Sequence, residues 1–275
     1  VAEKRTTLKR AITKARKGAN RVLGPVLYGA YEARVVADLR ARTVPRHIGV
    51  IVDGNRRWAR EMGFTVQDGH RYGGDKLTDL IEWSQELGVE VVTIWLLSTD
   101  NLTGRDPGEI EPLLEIIVDV AHQLSAPRHD WHVRVMGALD LLPERIADEL
   151  TQAVASTEGR SGITVNIAVG YGGRQEIVDA VRSALREAAA DGRSIEQIAE
   201  SVALEDISAH LYTKGQPDPD LIIRTSGEQR LSGFLLWQTA NAEFYFSDVY
   251  WPDFRRVDFL RAIREFAYRS RRFGR

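Results

Sequence analysis

From residue 47 onward the sequence alternates short apolar runs with longer amphipathic stretches, and that rhythm decides the class of fold. Strand-like runs fall at 47–53, 89–98, 131–137, 162–171, 220–226 and 243–248. Helix-like stretches lie between them at about 70–87, 107–125, 143–156, 173–190 and 194–211, with a last one at about 256–270. Strands that alternate with helices return in the same direction, and near-continuous apolar strands are covered on both faces. The expected fold is therefore α/β: a single domain with a mostly parallel six-stranded sheet flanked by helices. No internal repeat or long linker interrupts it, so 45–275 read as one domain behind an N-terminal arm, 1–44. Gly63–Gly74 and Thr99–Gly108 follow strands that end in polar groups, and both are expected to be mobile lids.

Ligands of such sheets gather at the carboxyl ends of the strands. There the run Ile48-Gly49-Val50-Ile51-Val52 delivers Asp53-Gly54-Asn55-Arg56-Arg57-Trp58. A carboxylate suits Mg²⁺ that shares substrate phosphates, and amides and guanidiniums suit the phosphate oxygens. The same residues are also ordinary turn chemistry. A second buried run ends in Arg224 and is followed by Ser226, Gly227, Arg230 and Ser232, which read as a second diphosphate cradle or as an arginine paired to a structural carboxylate. In Leu96-Leu97-Ser98-Thr99-Asp100-Asn101, Ser98 and Asn101 are candidate substrate contacts, and the leucines would line whatever lies beneath. Asn166–Arg174 is glycine-rich but lacks the spacing of a P-loop or dinucleotide fingerprint. Glu243, opening the aromatic run Phe244-Tyr245-Phe246, reads as a metal ligand or a junction charge. His70 sits among glycines, so it is expected to be mobile and exposed.

Composition closes several alternatives. With no cysteine, disulfides, thiolate metal sites and cysteine nucleophiles are excluded, which fits the cytoplasm. A net charge of −2 gives no global field for nucleic acid. No apolar stretch approaches the roughly 20 residues of a membrane span. Charge is concentrated in residues 1–21, which hold eight Lys or Arg against the single acid Glu3. With Leu8 and Ile12 nearby, this basic amphipathic arm is expected to touch an anionic membrane peripherally. Residues 25–40 are expected instead to pack on their own domain or on a partner subunit.

Taken together, HIGVIVDGNRRWAR, LLSTDN, VNIAVGYGGR, DPDLIIRTSGEQRLSGFLLWQ, NAEFYFSDVYWPDF and the terminal RRFGR resemble the cis-prenyltransferase family, the Z-isoprenyl diphosphate synthases related to undecaprenyl diphosphate synthase. The resemblance covers residues 46–275. It implies a homodimer that condenses an allylic diphosphate with isopentenyl diphosphate using Mg²⁺. It assigns the metal to Asp53, assisted by Glu243 from the same subunit or from across the dimer, and the allylic diphosphate and proton transfer to Asn55, Arg56, Arg57 and His70. Arg224, Arg230 and Ser232 match the isopentenyl diphosphate cradle. Arg272 and Gly274 match a tail that reaches the neighbouring subunit. Gly54, Trp58, Ser98, Asn101 and Arg105 complete the expected substrate contacts, with Asn55, His70 and Ser98 as the groups that guide the proton.

Two departures from the family pattern stand out. A basic residue common near Val66 is absent, leaving Arg60, Arg71 or Arg105 to compensate. Asp100 and Leu102 stand where Glu and Trp are usual. The product would descend into an apolar tunnel whose length is set by Leu96 and Leu97. Leu96 replaces the alanine of long-chain members, so a C15 (2Z,6E)-farnesyl diphosphate made from geranyl diphosphate is expected, as in the actinobacterial short-chain branch. The alternatives are a C50–C55 synthase, a non-catalytic partner subunit, or an unrelated Rossmann nucleotide enzyme. A partner subunit would lose Asp53 or the arginines, which this chain keeps.

Overall fold

The computed structural model describes Gly29 and residues 31–269. The basic segment 1–21 and Arg272-Phe273-Gly274 lie outside the described residues. Contacts group the chain into two compact units, one of residues 1–43 with 255–275 and one of residues 44–254.

The larger unit holds six strands: β1 (His47–Ile51), β2 (Val91–Trp95), β3 (His132–Met136), β4 (Thr164–Ala168), β5 (Leu221–Arg224) and β6 (Glu243–Phe246). They form one sheet in the order β3-β4-β2-β1-β5-β6, and all five pairings are parallel. Every residue of β1 and β5 is buried, which explains why their sequences are apolar without alternation. Ile51 of β1 lies in register with Arg224 of β5 on one side and Trp95 of β2 on the other. At β1 the strand order reverses, and this is where open α/β sheets form a crevice outside the carboxyl ends.

Residues 55–62 form helix α2 (Asn55–Met62) where the sequence pattern predicts a turn. The segment expected to be a mobile lid is also helical. Gly63 caps α2 in the left-handed region, Thr65 and Asp68 close a capping box, and α3 runs from Val66 to Glu86. Its glycines serve close packing. A Cβ on Gly69 would lie 2.5 Å from the Asn55 carbonyl oxygen, and one on Gly73 would lie 2.5 Å from Asn55 Oδ1. A helical glycine costs about 1 kcal/mol relative to alanine, and here the approach of α2 to α3 offsets it. Thr99–Gly108 is ordered likewise, as α4 (Thr99–Gly104) capped by Ser98 and the start of α5 (Pro107–Leu124) capped by Asp106. Next come α6 (Glu144–Ala155) and α7 (Gly173–Ala190). The single helix expected over 194–211 is two short ones, α8 (Ile195–Ser201) and α9 (Leu204–Ser208).

In the smaller unit, helix α1 (31–39) buries Val35, Val36 and Leu39. Its partner is α10 (Arg256–Tyr268). Arg264 donates to the Tyr31 hydroxyl at 2.8 Å, and the Tyr268 hydroxyl donates to Asp38 at 2.8 Å. Among the described residues no helix is long and apolar enough to cross a membrane.

Candidate active site

The crevice beyond β1 and β5 is organised around Asp53. Its backbone N–H donates to Thr225 Oγ1 at 2.9 Å, and that hydroxyl donates to the Asp53 carbonyl at 2.7 Å, so the segments following the two strands are tied together. Gly54 turns the chain into α2 with φ 104°, a conformation that strains any side chain. A Cβ there would also lie 2.7 Å from the Tyr250 ring. This turn aims the Gly54 N–H at Asp53 Oδ1, 2.7 Å away.

Guanidiniums surround the carboxylate. Arg224, 4% exposed, donates from Nη2 to Asp53 Oδ2 at 2.9 Å, and from Nη1 to Ser232 Oγ at 2.8 Å and to the Arg230 carbonyl. Arg57 Nη2 lies 3.4 Å from Asp53 Oδ1 and donates to Ser226 Oγ at 2.7 Å. Its Nη1 reaches Glu228 at 3.2 Å, and Glu228 also holds Arg230. On the other side, Glu109 Oε1 sits 3.3 Å from Arg56 Nε and 3.1 Å from Arg105 Nη1.

These contacts set the charge states. Burial pushes the Asp53 carboxyl up, but the hydrogen bond and charge of Arg224, the charge of Arg57 and the Gly54 N–H outweigh it and hold the pKa below the usual value. Asp53 is therefore an anion. Burial first, then the charges of Arg105 and Arg56 against that of Glu109, lower His70 to about 4. His70 is thus neutral at physiological pH. It lies mostly buried on α3 rather than mobile and exposed, because the glycines around it are helical.

Of the residues singled out from sequence, Asp53, Gly54, Asn55, Arg56, Arg57, His70, Leu96, Leu97, Ser98, Asn101, Arg105, Arg224, Arg230 and Ser232 all line one cleft of about 580 Å³. Arg60, Trp95, Asp100 and Leu113 line it too. Arg60 was legible only as a compensating arginine; its place one turn after Arg56 appears once 55–62 is known to be a helix. Arg71 does not line the cleft. Trp58 is also elsewhere: it packs with Phe64 and Tyr72, at centroid distances of 5.5 and 5.1 Å. Ser98 Oγ accepts the Asn101 N–H at 3.0 Å as the cap of α4. The glycine-rich turn after β4 packs against the chain instead of opening into the cleft. The Gly173 N–H donates to the Gly233 carbonyl at 2.9 Å, and a Cβ there would lie 2.4 Å from that oxygen.

Several polar atoms of the cleft are buried yet make no hydrogen bond: Asn55 Oδ1, His70 Nε2, Trp95 Nε1 and the Nε of Arg56, Arg105 and Arg224. Buried polar groups are normally paired, so the indole N–H of Trp95 and the Nε–H of Arg105 and Arg224 are donors open to an acceptor-rich ligand, whereas Asn55 Oδ1 is an acceptor and Arg56 Nε still lies 3.3 Å from Glu109. Leu96 faces two spaces. Beside the cleft it also lines a pit of about 30 Å³, shared with His70 and with Leu77, Leu113, Ile116, Ile117 and Val120 of α3 and α5.

Among the described residues there is no group of three or more carboxylates or imidazoles that could hold a metal ion. Asp53 nonetheless suits Mg²⁺, which keeps several waters and takes one or two carboxylates plus substrate phosphates. Glu243 does not join it within one chain. It pairs with Leu221 at the amino end of β5, whereas Asp53 lies beyond the carboxyl end of the neighbouring β1. At about 3.3 Å per strand residue the two are on the order of 13 Å or more apart along the sheet.

Residues 51–274 match the family model described as putative undecaprenyl diphosphate synthase. A (2Z,6E)-farnesyl diphosphate synthase of Thermobifida fusca is 57% identical over 249 residues, covering 90% of this chain and 97% of the relative. A protein of the same name from Mycolicibacterium smegmatis is 54% identical over 251 residues, covering 90% and 95%. Among solved structures, lavandulyl diphosphate synthase from Lavandula x intermedia, in complex with dimethylallyl diphosphate, superposes with a TM-score of 0.78 at 34% identity. It covers 84% of this chain and 99% of its own.

Proposed function

The chain belongs to the cis-prenyltransferase family, and from that premise we propose that it condenses geranyl diphosphate with isopentenyl diphosphate to give (2Z,6E)-farnesyl diphosphate. One observation carries the short product: an arginine-lined cleft opens onto an apolar pit of only about 30 Å³, with Leu96 at the junction. The relatives named (2Z,6E)-farnesyl diphosphate synthase support the same reading.

In the reaction the allylic C1–O bond breaks and its electron pair leaves with diphosphate. The isopentenyl double bond then attacks C1, and loss of one proton from the isopentenyl unit forms the new double bond. Arg56 and Arg105 face the allylic diphosphate, while Arg224, Arg230 and Ser232 hold the isopentenyl diphosphate beside it, a proximity effect. Fixed guanidiniums stabilise the charge that develops on the leaving group. Asp53 would hold Mg²⁺ against the substrate phosphates, where the ion supplies further charge neutralisation. In this reading neutral His70, whose Nε2 is unpartnered on the cleft wall, takes the proton, and the leaving diphosphate is the competing acceptor.

Labelled isopentenyl diphosphate with geranyl diphosphate should yield one C15 product by chromatography. C50–C55 products would overturn the short-chain reading, and no incorporation with any allylic primer would leave only a partner subunit. The proposal includes a homodimer, in which Arg272, Gly274 and Glu243 of one copy serve the neighbour's cleft. Sedimentation showing a fully active monomer would remove it. Peripheral membrane contact rests on the eight basic residues of 1–21, and equal liposome flotation without them would remove that contact.

A further inference from the structure

Six guanidiniums line the cleft, those of Arg56, Arg57, Arg60, Arg105, Arg224 and Arg230. Five are committed: Arg224 and Arg57 to Asp53, Arg57 and Arg230 to Glu228, and Arg56 and Arg105 to Glu109. Arg60 has no carboxylate or other side-chain partner among the described residues. Asp100, which also lines the cleft, pairs with none of the six.

That difference has a chemical consequence. When a diphosphate enters, each committed arginine must share or exchange a carboxylate it already holds, so its net gain is small. An arginine with no such partner gains a charge-assisted contact with nothing given up. Arg60 is also placed for this. It stands four residues after Arg56 on α2, so the two lie on one helix face. Arg56 belongs to the side of the cleft bounded by Arg105 and His70, and His70 also lines the apolar pit. A substrate whose apolar tail points toward the pit therefore presents its diphosphate to this face. The exposed position of Arg60 at the rim suits the outer phosphate. A cation in the last turn of α2 also complements the helix dipole, but the dipole does not require the side chain to line the cleft.

Resting on the reading that the cleft takes an allylic diphosphate, we propose that Arg60 binds the outer phosphate of that substrate. The test is Arg60→Gln beside Arg71→Gln, an exposed arginine of α3 outside the cleft. KM for geranyl diphosphate should rise about tenfold in Arg60→Gln, with the loss carried by KM rather than kcat and KM for isopentenyl diphosphate within about twofold. Titration calorimetry with inorganic pyrophosphate should show a parallel weakening that fades at high salt, as expected of a rim charge. Arg60→Lys should recover part of it, because lysine keeps the charge without the planar fork. Arg71→Gln should change neither constant. An Arg60→Gln protein that matches wild type in both KM and pyrophosphate affinity overturns the assignment, and so does a shift confined to isopentenyl diphosphate. If wild type shows no turnover at all, prenyl transfer fails instead, and the pyrophosphate titration still decides on Arg60.

Discussion

Asp53→Ala is expected to lower kcat by about a hundredfold or more while the chain stays folded. The carboxylate stands where β1 and β5 deliver their charges, with Arg224 on one oxygen at 2.9 Å and Arg57 near the other at 3.4 Å. In the proposed reaction it is the anion that would hold Mg²⁺ against the leaving diphosphate. Removing one preorganised stabiliser of developing charge costs on the order of 3 kcal/mol in the transition state. The substitution also leaves Arg224 buried with only Ser232 Oγ and the Arg230 carbonyl as acceptors. Breaking a fully buried pair can cost about 3–5 kcal/mol of stability, but the Asp53 side chain is 32% exposed, so water offsets part of that here. Asp53→Asn separates the two effects, because the amide oxygen still accepts from Arg224 and only the charge is lost. Steady-state turnover with labelled isopentenyl diphosphate, beside thermal melts of both variants, is the measurement. An Asp53→Asn enzyme within a few-fold of wild type would exclude Asp53 as the metal carboxylate.

The sequence makes the two halves of this site legible but not their meeting. Asp53 and Arg224 each announce themselves as a charge closing a run that is apolar on both faces, and both do end buried parallel strands. Their ion pair joins residues 171 positions apart, and it depends on β5 being the neighbour of β1, an order that no local pattern encodes. The errors share one cause. Gly69, Gly73 and Gly74 read as chain breakers because glycine disfavours helices, yet their missing Cβ atoms are what let α3 approach Asn55 and Val120. That misreading made His70 appear mobile. Likewise Gly54-Asn55-Arg56-Arg57 read as a turn, and without α2 there was no way to see that Trp58 faces Phe64 and Tyr72 while Arg60 faces the cleft. Glu243 differs from the expectation within one chain only. Its strand was correctly expected, but the residue opens β6 rather than closing it, so it emerges at the opposite edge of the sheet.

Leu96→Ala is expected to lengthen the product beyond C15. Leu96 follows β2, its N–H held by the Ala168 carbonyl at 3.0 Å, so the backbone fixes where its isobutyl group points. That group lines both the arginine-lined cleft and the pit walled by Leu77, Ile116, Ile117 and Val120, at a junction it shares with Val52, Asn55, His70 and Leu113. The pit's volume of about 30 Å³ is a small fraction of the cleft's 580 Å³, too little for another prenyl unit unless its walls move. Forcing extra methylenes into packed walls costs about 1–3 kcal/mol, enough to make release of a C15 product faster than a further addition. Truncating Leu96 joins the two spaces and lowers that barrier. Leu97 supplies the contrast. It is 2% exposed and lines the cleft but not the pit, so Leu97→Ala should cost about 2–5 kcal/mol of stability without lengthening the product, although sequence alone grouped the two leucines together. Chromatography of products from wild type and both variants decides the matter. A floor at Leu96 requires C15 from wild type, longer chains from Leu96→Ala and C15 again from Leu97→Ala. If Leu96→Ala still stops at C15, the limiting wall must be built by the α3 and α5 residues themselves.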